Sequence, residues 1–165
     1  MCEMNVGQTP SADILVVDDT PANLDVLTRM LEEQGYGARP VPSGALALQC
    51  ARVQRPDLIL LDVSMPDMNG YEVCERLKAD EQLKDIPVIF ISALNDTEDK
   101  IKGFNAGGVD YVTKPFQFEE VKARVETHLR IRRLQNDLEQ QYAQIKRLEE
   151  LKDDLTHMLV HDMAS

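Results

Sequence analysis

The stretch Leu58-Ile59-Leu60-Leu61-Asp62 decides the fold, because four large apolar residues in a row are followed there by a carboxylate. An apolar run of this length without alternation is typical of a strand that is covered on both faces of a parallel sheet, and we predict a strand at 57–61. Open α/β sheets bind their ligands at the carboxyl ends of the strands. The sequence therefore predicts that Asp62 is a functional carboxylate at that edge of the sheet.

Three further strand-like runs are also followed by polar side chains. These are residues 14–17 followed by Asp18 and Asp19, residues 88–91 followed by Ser92, and residues 109–112 followed within two residues by Lys114. Because the carboxyl ends of parallel strands meet at one edge, these groups should lie near Asp62. An aspartate that attacks a phosphorus atom needs surroundings that cancel negative charge, which a lysine and an oxygen-bound metal ion provide. The pattern thus indicates a phosphoryl acceptor site.

Strand and helix signals alternate through the first two thirds of the chain. Pro21 is placed for the first turn of a helix, and Ser43 is a good N-cap. The alternation predicts five β/α units and a doubly wound parallel sheet with right-handed crossovers. We predict strands at 13–17, 37–41, 57–61, 87–91 and 109–112, and helices at 21–34, 43–54, from the loop 64–70 to about 79, and 96–105.

The chain changes character after residue 117. Residues 117–163 contain neither Pro nor Gly and are rich in strong helix formers. Apolar residues recur there in steps of three to five, namely at Val121, Val125, Leu129, Leu134, Leu138, Tyr142, Ile145, Leu148, Leu151, Leu155 and Leu159. The steps are 4-4 around Leu138 and 3-3 around Leu148, so the heptad phase is irregular. A long helix of this kind needs a second helix to cover its stripe, which favours a parallel homodimer and leaves antiparallel pairing open.

The composition excludes several classes of protein. A formal net charge of −11 argues against a nucleic-acid-binding surface. No apolar stretch approaches the roughly 20 residues that span a bilayer, and no signal peptide precedes the first strand. The three cysteines, Cys2, Cys50 and Cys74, show no paired spacing and indicate reduced thiols. We therefore expect a cytoplasmic protein that binds neither nucleic acid nor membrane.

Residues 13–128 resemble the receiver domain of two-component response regulators. No one of the matching motifs is specific, but their occurrence together at successive strand ends is. They are Asp18-Asp19, Asp62, Met65-Pro66-Asp67-Met68-Asn69-Gly70, Ser92-Ala93 and Asp110-Tyr111-Val112-Thr113-Lys114-Pro115-Phe116. The resemblance implies a five-stranded, flavodoxin-like sheet in the order 2-1-3-4-5 and a cis Lys114–Pro115 bond. It also implies a histidine kinase or phosphotransfer protein as the phosphodonor.

The resemblance also implies how the site would work. Asp62 would be phosphorylated in the presence of Mg²⁺, or of Mn²⁺ in its place. Mg²⁺ commonly binds through one or two carboxylates, waters and phosphate oxygens. The ligand set would be Asp19 and Asp62 directly, Asp18 through a water, and the backbone carbonyl of Ser64. Lys114 and Ser92 would bind the phosphoryl oxygens, while Ser92 and Tyr111 would form a switch.

The end of the chain carries a second, shorter resemblance. Residues 155–163 are similar to the start of the phosphoacceptor box of histidine kinases, in which His161 would accept phosphate and Asp162 would be the neighbouring base. His157 is interpreted as an exposed histidine of a coiled coil. We thus expect a loose tail at 1–12, a receiver at 13–128, a coiled-coil helix at 129–154, and the truncated start of a kinase phosphoacceptor helix at 155–165.

The sequence has no Gly-rich phosphate loop and no room for an ATP-binding domain, so whether this chain is itself an enzyme stays open. We expect it to catalyse little beyond its own phosphorylation, and we expect the parent protein to be a histidine kinase. Two alternatives belong to other classes. One is a phosphatase of the haloacid-dehalogenase type, which also uses Asp, Lys and Mg²⁺ but has a D-x-D motif after its first strand, where this chain has Asp18-Asp19. The other is a degenerate receiver that acts as a structural dimeriser.

Overall fold

The computed structural model describes residues 10–94 and 96–163. Strands and helices alternate strictly in this part of the chain. The strands are β1 Asp13–Val17, β2 Gly37–Val41, β3 Leu58–Asp62, β4 Val88–Ser92 and β5 Asp110–Thr113. The helices are α1 Pro21–Glu33, α2 Gly44–Val53, α3 Gly70–Ala79, α4 Thr97–Asn105 and α5 Phe118–Met163.

The strands form one parallel sheet in the order β2-β1-β3-β4-β5, which confirms the predicted fold class. β3, β4 and β5 lie one residue later than predicted. Asp62 pairs with Ile91 and Ser92 pairs with Thr113, because the backbone ladder continues for one residue beyond each apolar run. Asp62 and Ser92 are therefore the last residues of their strands, which holds their backbones in the sheet.

Helices cover both faces of the sheet. Alternate strand residues such as Leu15 and Val17 pack against α2 and α3, whereas Ile14 and Val16 pack against α1 and the first turns of α5. All five residues of β3 are buried, as expected for a central strand with helices on either side. This burial leaves the carboxyl edge of the sheet as the place where polar groups meet.

The chain divides into two compact units, one up to Leu129 and one from Arg130 onward. The first contains the sheet, the helices α1 to α4, and the start of α5. The second consists of the rest of α5, in which no residue of 130–163 is buried. None of the helices in the described residues combines the length and the apolar composition needed to cross a membrane. Of the expected tail at 1–12, residues 1–9 lie outside the described residues, while Ser11 and Ala12 hydrogen bond to Gly35 and Gly37.

The start of α5 is held on β5 by a polar cluster around Asp110. Its carboxylate accepts hydrogen bonds from Arg124 Nη1 at 2.8 and 2.9 Å and lies 2.9 Å from His128 Nε2. The backbone N–H of Tyr111 donates to it as well, at 2.8 Å. Burial alone would raise the pKa of Asp110, but the hydrogen bonds from His128, Arg124 and the backbone together lower it. The cluster therefore fixes the first turns of α5 through charged hydrogen bonds as well as through the buried Val121 and Val125.

Arg39 on β2 makes a second ion pair that the sequence did not reveal. Its side chain is only 6% exposed, with Nε 3.0 Å from Asp13 Oδ1 and Nη2 2.8 Å from Asp13 Oδ2. Nη2 also donates to the carbonyl of Gln54 at 2.7 Å. One guanidinium thus joins the middle of β2 to the start of β1 and the end of α2.

The variant Arg39→Met is expected to lower the free energy of unfolding by about 2–4 kcal/mol, because it leaves Asp13 and the Gln54 carbonyl without their buried partner. Urea unfolding monitored by circular dichroism measures this change. The matched control is Arg29→Met, which removes an ion pair with Asp25 whose side chains are 74% and 61% exposed, respectively. This control should lower the free energy of unfolding by less than about 0.5 kcal/mol. Equal losses in the two variants would contradict a structural role for the Arg39 pair.

Candidate functional site

Three carboxylates meet at the carboxyl edge of the sheet, as the sequence predicted. One oxygen from each of Asp18, Asp19 and Asp62 lies within 4.8 Å of the others. Asp18 and Asp62 are buried, whereas Asp19 is exposed. Asp62 comes from the end of β3, and the other two follow β1, the neighbouring strand. Solvent therefore reaches the site at Asp19, while Asp18 and Asp62 form its buried part.

Asp18 is held in place by the start of α1. Its Oδ1 accepts the backbone N–H of Thr20 at 2.9 Å, and its Oδ2 accepts Asn23 Nδ2 at 3.2 Å. Sequence reasoning missed Asn23. Its signal was its place in the first turn of the helix that follows the acidic pair. These two contacts hold the Asp18 carboxylate at the start of α1, where its Oδ2 also accepts from Lys114 Nζ.

Lys114 supplies the cation of the cluster. Its Nζ lies 3.1 Å from Asp18 Oδ2 and 3.4 Å from Asp62 Oδ1. The backbone N–H of Lys114 donates to the carbonyl of Ser92 at 2.7 Å, which ties the residue to the end of β4. The Lys114–Pro115 bond is cis, as predicted. Lys114 thus bridges the two buried acids across the sheet.

The charges of the cluster do not balance. Burial, and next the neighbouring charge of Asp18, raise the pKa of Asp62 to about 6 against the opposing effect of Lys114. Three carboxylates face one ammonium group, so a further cation would lower the free energy of the ionised cluster. Close carboxylate oxygens that are open to solvent on one side are the donors that Mg²⁺ prefers. The residues present therefore fit a magnesium ion.

The loop after β3 turns sharply behind Asp62. Asp67 has a left-handed backbone with φ of 67°, and Gly70 N–H donates to the carbonyl of Val63 at 2.9 Å. A Cβ on Gly70 would collide with the carbonyl of Asp62, so only glycine fits there. Asn69 caps α3 by accepting the N–H of Glu72 at 3.0 Å. Ser64, whose carbonyl is an expected metal ligand, lies in this loop two residues after Asp62.

Ser92 and Tyr111 both contact Leu94 in the connection between β4 and α4. Ser92 is fully buried, and its Oγ accepts the N–H of Leu94 at 3.1 Å. Tyr111 is 6% exposed, and its hydroxyl donates to the carbonyl of Leu94 at 3.0 Å. The two expected switch residues thus hold the same residue, Ser92 at its backbone N–H and Tyr111 at its carbonyl.

His161 and Asp162 belong to the second unit, where both are exposed on α5. His157 is exposed one turn earlier. Residues 164–165, the end of the predicted phosphoacceptor helix segment, lie outside the described residues.

The metal-free protein is expected to lose stability as the pH rises through about 6. The pKa of Asp62 is about 6 in the folded chain and 3.8 ordinarily, so folding favours its protonated form. The contribution is full below the ordinary value and is lost as the carboxyl ionises in the folded state. In EDTA near about pH 7.5, Asp62→Asn should therefore exceed the wild type in free energy of unfolding by on the order of 1–3 kcal/mol.

Urea unfolding of both proteins across this pH range tests the expectation. The difference between them should shrink toward about pH 4, where the wild-type carboxyl is protonated in the folded state and about half protonated in the unfolded chain. A difference that does not change with pH would contradict the electrostatic cause.

The fold and the acidic site together define the class of protein. The profile of the "Response regulator receiver domain" family matches residues 14–126, and the chain belongs to this family. It is 44% identical over 117 residues to the DNA-binding dual master transcriptional regulator RpaA of Synechocystis, covering 71% of this chain and 48% of that protein. It is 40% identical over 138 residues to the response regulator PleD of Caulobacter vibrioides, covering 84% of this chain and 30% of PleD.

Solved structures agree. The signal receiver domain of a signal transduction histidine kinase from Syntrophus aciditrophicus is 37% identical, with a TM-score of 0.68, covering 72% of this chain and 90% of that one. The chain thus spans about half or less of the curated relatives named above, but nearly all of an isolated receiver domain. It is a receiver domain of the two-component type, followed by a long helix. Membership of this family removes the haloacid-dehalogenase alternative.

Proposed function

We propose that this chain is a phosphoacceptor receiver in which Asp62 takes a phosphoryl group from a histidine kinase or phosphotransfer protein. The observation that carries the proposal is the meeting of Asp18, Asp19 and Asp62 around Lys114. In the transfer, a carboxylate oxygen of Asp62 forms a bond to phosphorus. The bond from phosphorus to the donor breaks, and its electron pair leaves with the donor group.

The residues around Asp62 would bind the metal ion and the phosphoryl oxygens. Asp19, Asp62 and the Ser64 carbonyl would hold Mg²⁺ or Mn²⁺ directly, and Asp18 would hold it through a water. When bound, the ion offsets the negative charge that the carboxylate and phosphoryl group bring together. Lys114 offers its ammonium group to one phosphoryl oxygen, for which its position between Asp18 and Asp62 is suited.

Ser92 and Tyr111 form the proposed switch. The Ser92 Oγ accepts a hydrogen bond from Leu94, which leaves its own hydrogen available for a phosphoryl oxygen. Tyr111 holds the carbonyl of the same residue. A change at Ser92 therefore reaches Tyr111 and α4 through Leu94, as a shift between existing arrangements.

Beryllium fluoride, a phosphoryl mimic, tests the proposal. With Mg²⁺ present it should raise the melting temperature of the wild type by several degrees, because a ligand that binds only the folded state stabilises it. Neither beryllium fluoride without Mg²⁺ nor Mg²⁺ with fluoride alone should give this shift. Absence of any shift with all components present would favour the alternative of a degenerate receiver that acts as a structural dimeriser.

We further propose that α5 pairs with a second copy of this chain. In the second unit a heptad frame can be drawn from Ile131, with positions a at 131, 138, 145, 152 and 159, and positions d at 134, 141, 148, 155 and 162; seven of these ten residues are apolar, and Gln141, Lys152 and Asp162 are polar. The apolar members are Ile131, Leu134, Leu138, Ile145, Leu148, Leu155 and Leu159, each between 43% and 66% exposed. Covering each contributes on the order of 1.5–3 kcal/mol, which is enough to drive association.

The residue types at these positions favour a parallel dimer. The a positions hold Ile131 and Ile145 beside Leu138 and Leu159, and the apolar d positions are all leucine; isoleucine at a with leucine at d favours two parallel strands. Lys152 interrupts the a positions once, and a single polar residue of this kind specifies register at some loss of stability. This frame supports parallel pairing over the antiparallel alternative.

The link to a histidine kinase is the last part of the proposal. In this frame Asp162 is at a d position and His161 at c, which faces away from the seam. An imidazole that faces outward could attack the γ-phosphate of ATP in line with the leaving group, with Asp162 as the neighbouring base. The similar receiver from Syntrophus aciditrophicus belongs to a protein named as a histidine kinase, which adds support. The parent protein would then be a receiver–kinase.

A further inference from the structure

Helix α4 has the least apolar burial of the four helices α1 to α4. Among its residues, Thr97 to Asn105, only Gly103 is buried, while α1, α2 and α3 each bury four. Its large apolar residues, Ile101 and Phe104, are each 51% exposed. A segment with so few buried contacts opens at a low free energy, so individual hydrogen bonds matter more to its position than elsewhere.

Two tyrosine hydroxyls donate to backbone carbonyls at the start of this helix. Tyr111 bonds the carbonyl of Leu94 at 3.0 Å, before the helix begins. Tyr71 bonds the carbonyl of Asp99, in its first turn, also at 3.0 Å. Tyr111 already has a role in the proposed switch, whereas nothing in that switch uses Tyr71.

The ring of Tyr71 stands at one end of a row of three aromatic rings. It packs against Phe90 with centroids 5.4 Å apart, and Phe90 packs in turn against Tyr111 at 6.1 Å. Phe90 is fully buried, so this row of three rings has little freedom to move. The hydroxyl stays protonated at all ordinary pH values, because burial, and then the neighbouring Tyr111 hydroxyl, raise the pKa of Tyr71. Tyr71 is therefore a fixed donor.

Tyr71 is also tied to the loop that carries the phosphoacceptor. It directly follows Gly70, whose N–H bonds the Val63 carbonyl and whose Cα is packed against the backbone of Asp62. A displacement of the loop after β3 thus acts on the first turn of α3, where Tyr71 stands. This path reaches α4 without passing through Ser92 or Leu94.

We propose that Tyr71 is a positioning residue that anchors the first turn of α4 and links it directly to the loop behind Asp62. The helix is then held at two points, by Tyr111 at Leu94 and by Tyr71 at Asp99. The anchor goes beyond the proposed function, and only its response to phosphorylation rests on that function.

Hydrogen exchange of the full chain with the variant Tyr71→Phe tests the anchor. The ring and its packing on Phe90 remain, and one neutral hydrogen bond is lost. We expect amide exchange within residues 97–103 to become about fivefold faster, with exchange in β3 unchanged. The matched control is Tyr142→Phe, a residue that is 71% exposed on α5 and should leave α4 unaffected. Unchanged exchange at 97–103 in Tyr71→Phe would overturn the anchor.

The same measurement with Mg²⁺ and beryllium fluoride tests the link to Asp62. In the wild type we expect the mimic to change exchange both in the loop at 63–69 and in α4. In Tyr71→Phe the loop response should persist while the α4 response falls by at least about half. An α4 response equal to that of the wild type would overturn the link. A wild type that does not respond at all would contradict the proposed function, and the comparison without mimic would still decide the anchor.

Discussion

Replacing Asp62 with asparagine is expected to reduce the uptake of phosphoryl label from acetyl phosphate at least about 100-fold, to the level of background. The asparagine amide keeps the size of the side chain but cannot act as the attacking oxygen nucleophile. Asp18 and Asp19 cannot replace it. The first is held by Thr20, Asn23 and Lys114, and the second is the exposed acid at the mouth of the site. Labelled acetyl phosphate with Mg²⁺, followed by gel separation and counting, measures the uptake.

The chain offers a closely matched control in Asp67→Asn. It makes the same chemical change five residues along the loop, at an exposed position whose φ of 67° asparagine tolerates well. We expect it to take up label as the wild type does. Equal labelling of wild type and Asp62→Asn would show that the acceptor lies elsewhere.

The variant Leu148→Glu is expected to convert a dimer into a monomer at tens of micromolar protein. Leu148 is a d position in the middle of the heptad frame, and each of the two copies would place a carboxylate in the seam. The loss of apolar burial alone, on the order of 1.5–3 kcal/mol per leucine, weakens association more than about 100-fold across two copies. Sedimentation equilibrium measures the molar mass. Gln140→Glu adds the same charge at an outward c position and should remain a dimer.

Cysteine crosslinking distinguishes the two orientations. In a chain in which Cys2 and Cys50 are replaced by alanine, Leu134→Cys should form a disulfide between copies if the helices are parallel and in register, since each d residue then faces its own counterpart. Antiparallel pairing separates these residues along the seam and gives no such bond. A wild-type chain that sediments as a monomer would contradict pairing in either orientation, and His161 would then be an ordinary surface histidine.

Much of the site could be read from the sequence because parallel strands bring their carboxyl ends together whatever the details of packing. Asp18, Asp19, Asp62 and Lys114 each follow or end an apolar run, and that was enough to place them at one edge. The contacts of Arg39, Asn23 and Tyr71 could not be read in the same way. Each depends on a rotamer and on the distance between elements far apart in the chain, for which one sequence carries no signal.

The long helix α5 shows most clearly what the sequence determined and what the tertiary structure decided. Sequence alone determined that residues 117–163 form a helix with an apolar stripe, through helix propensity and the absence of Pro and Gly. It left the heptad phase irregular, because Tyr142 and Leu151 gave steps of 4-4 around Leu138 and of 3-3 around Leu148. The tertiary structure assigns Val121, Val125 and Leu129 to the sheet, where they are buried at the four-residue steps of an ordinary packed helix. Past Leu129 no residue of 130–163 is buried, and a 3-4 alternation from Ile131 can be drawn there when Tyr142 and Leu151 are left outside it. Only the tertiary structure decided where the sheet stops covering the stripe, because packing on a sheet and packing on another helix impose different periods on one continuous helix.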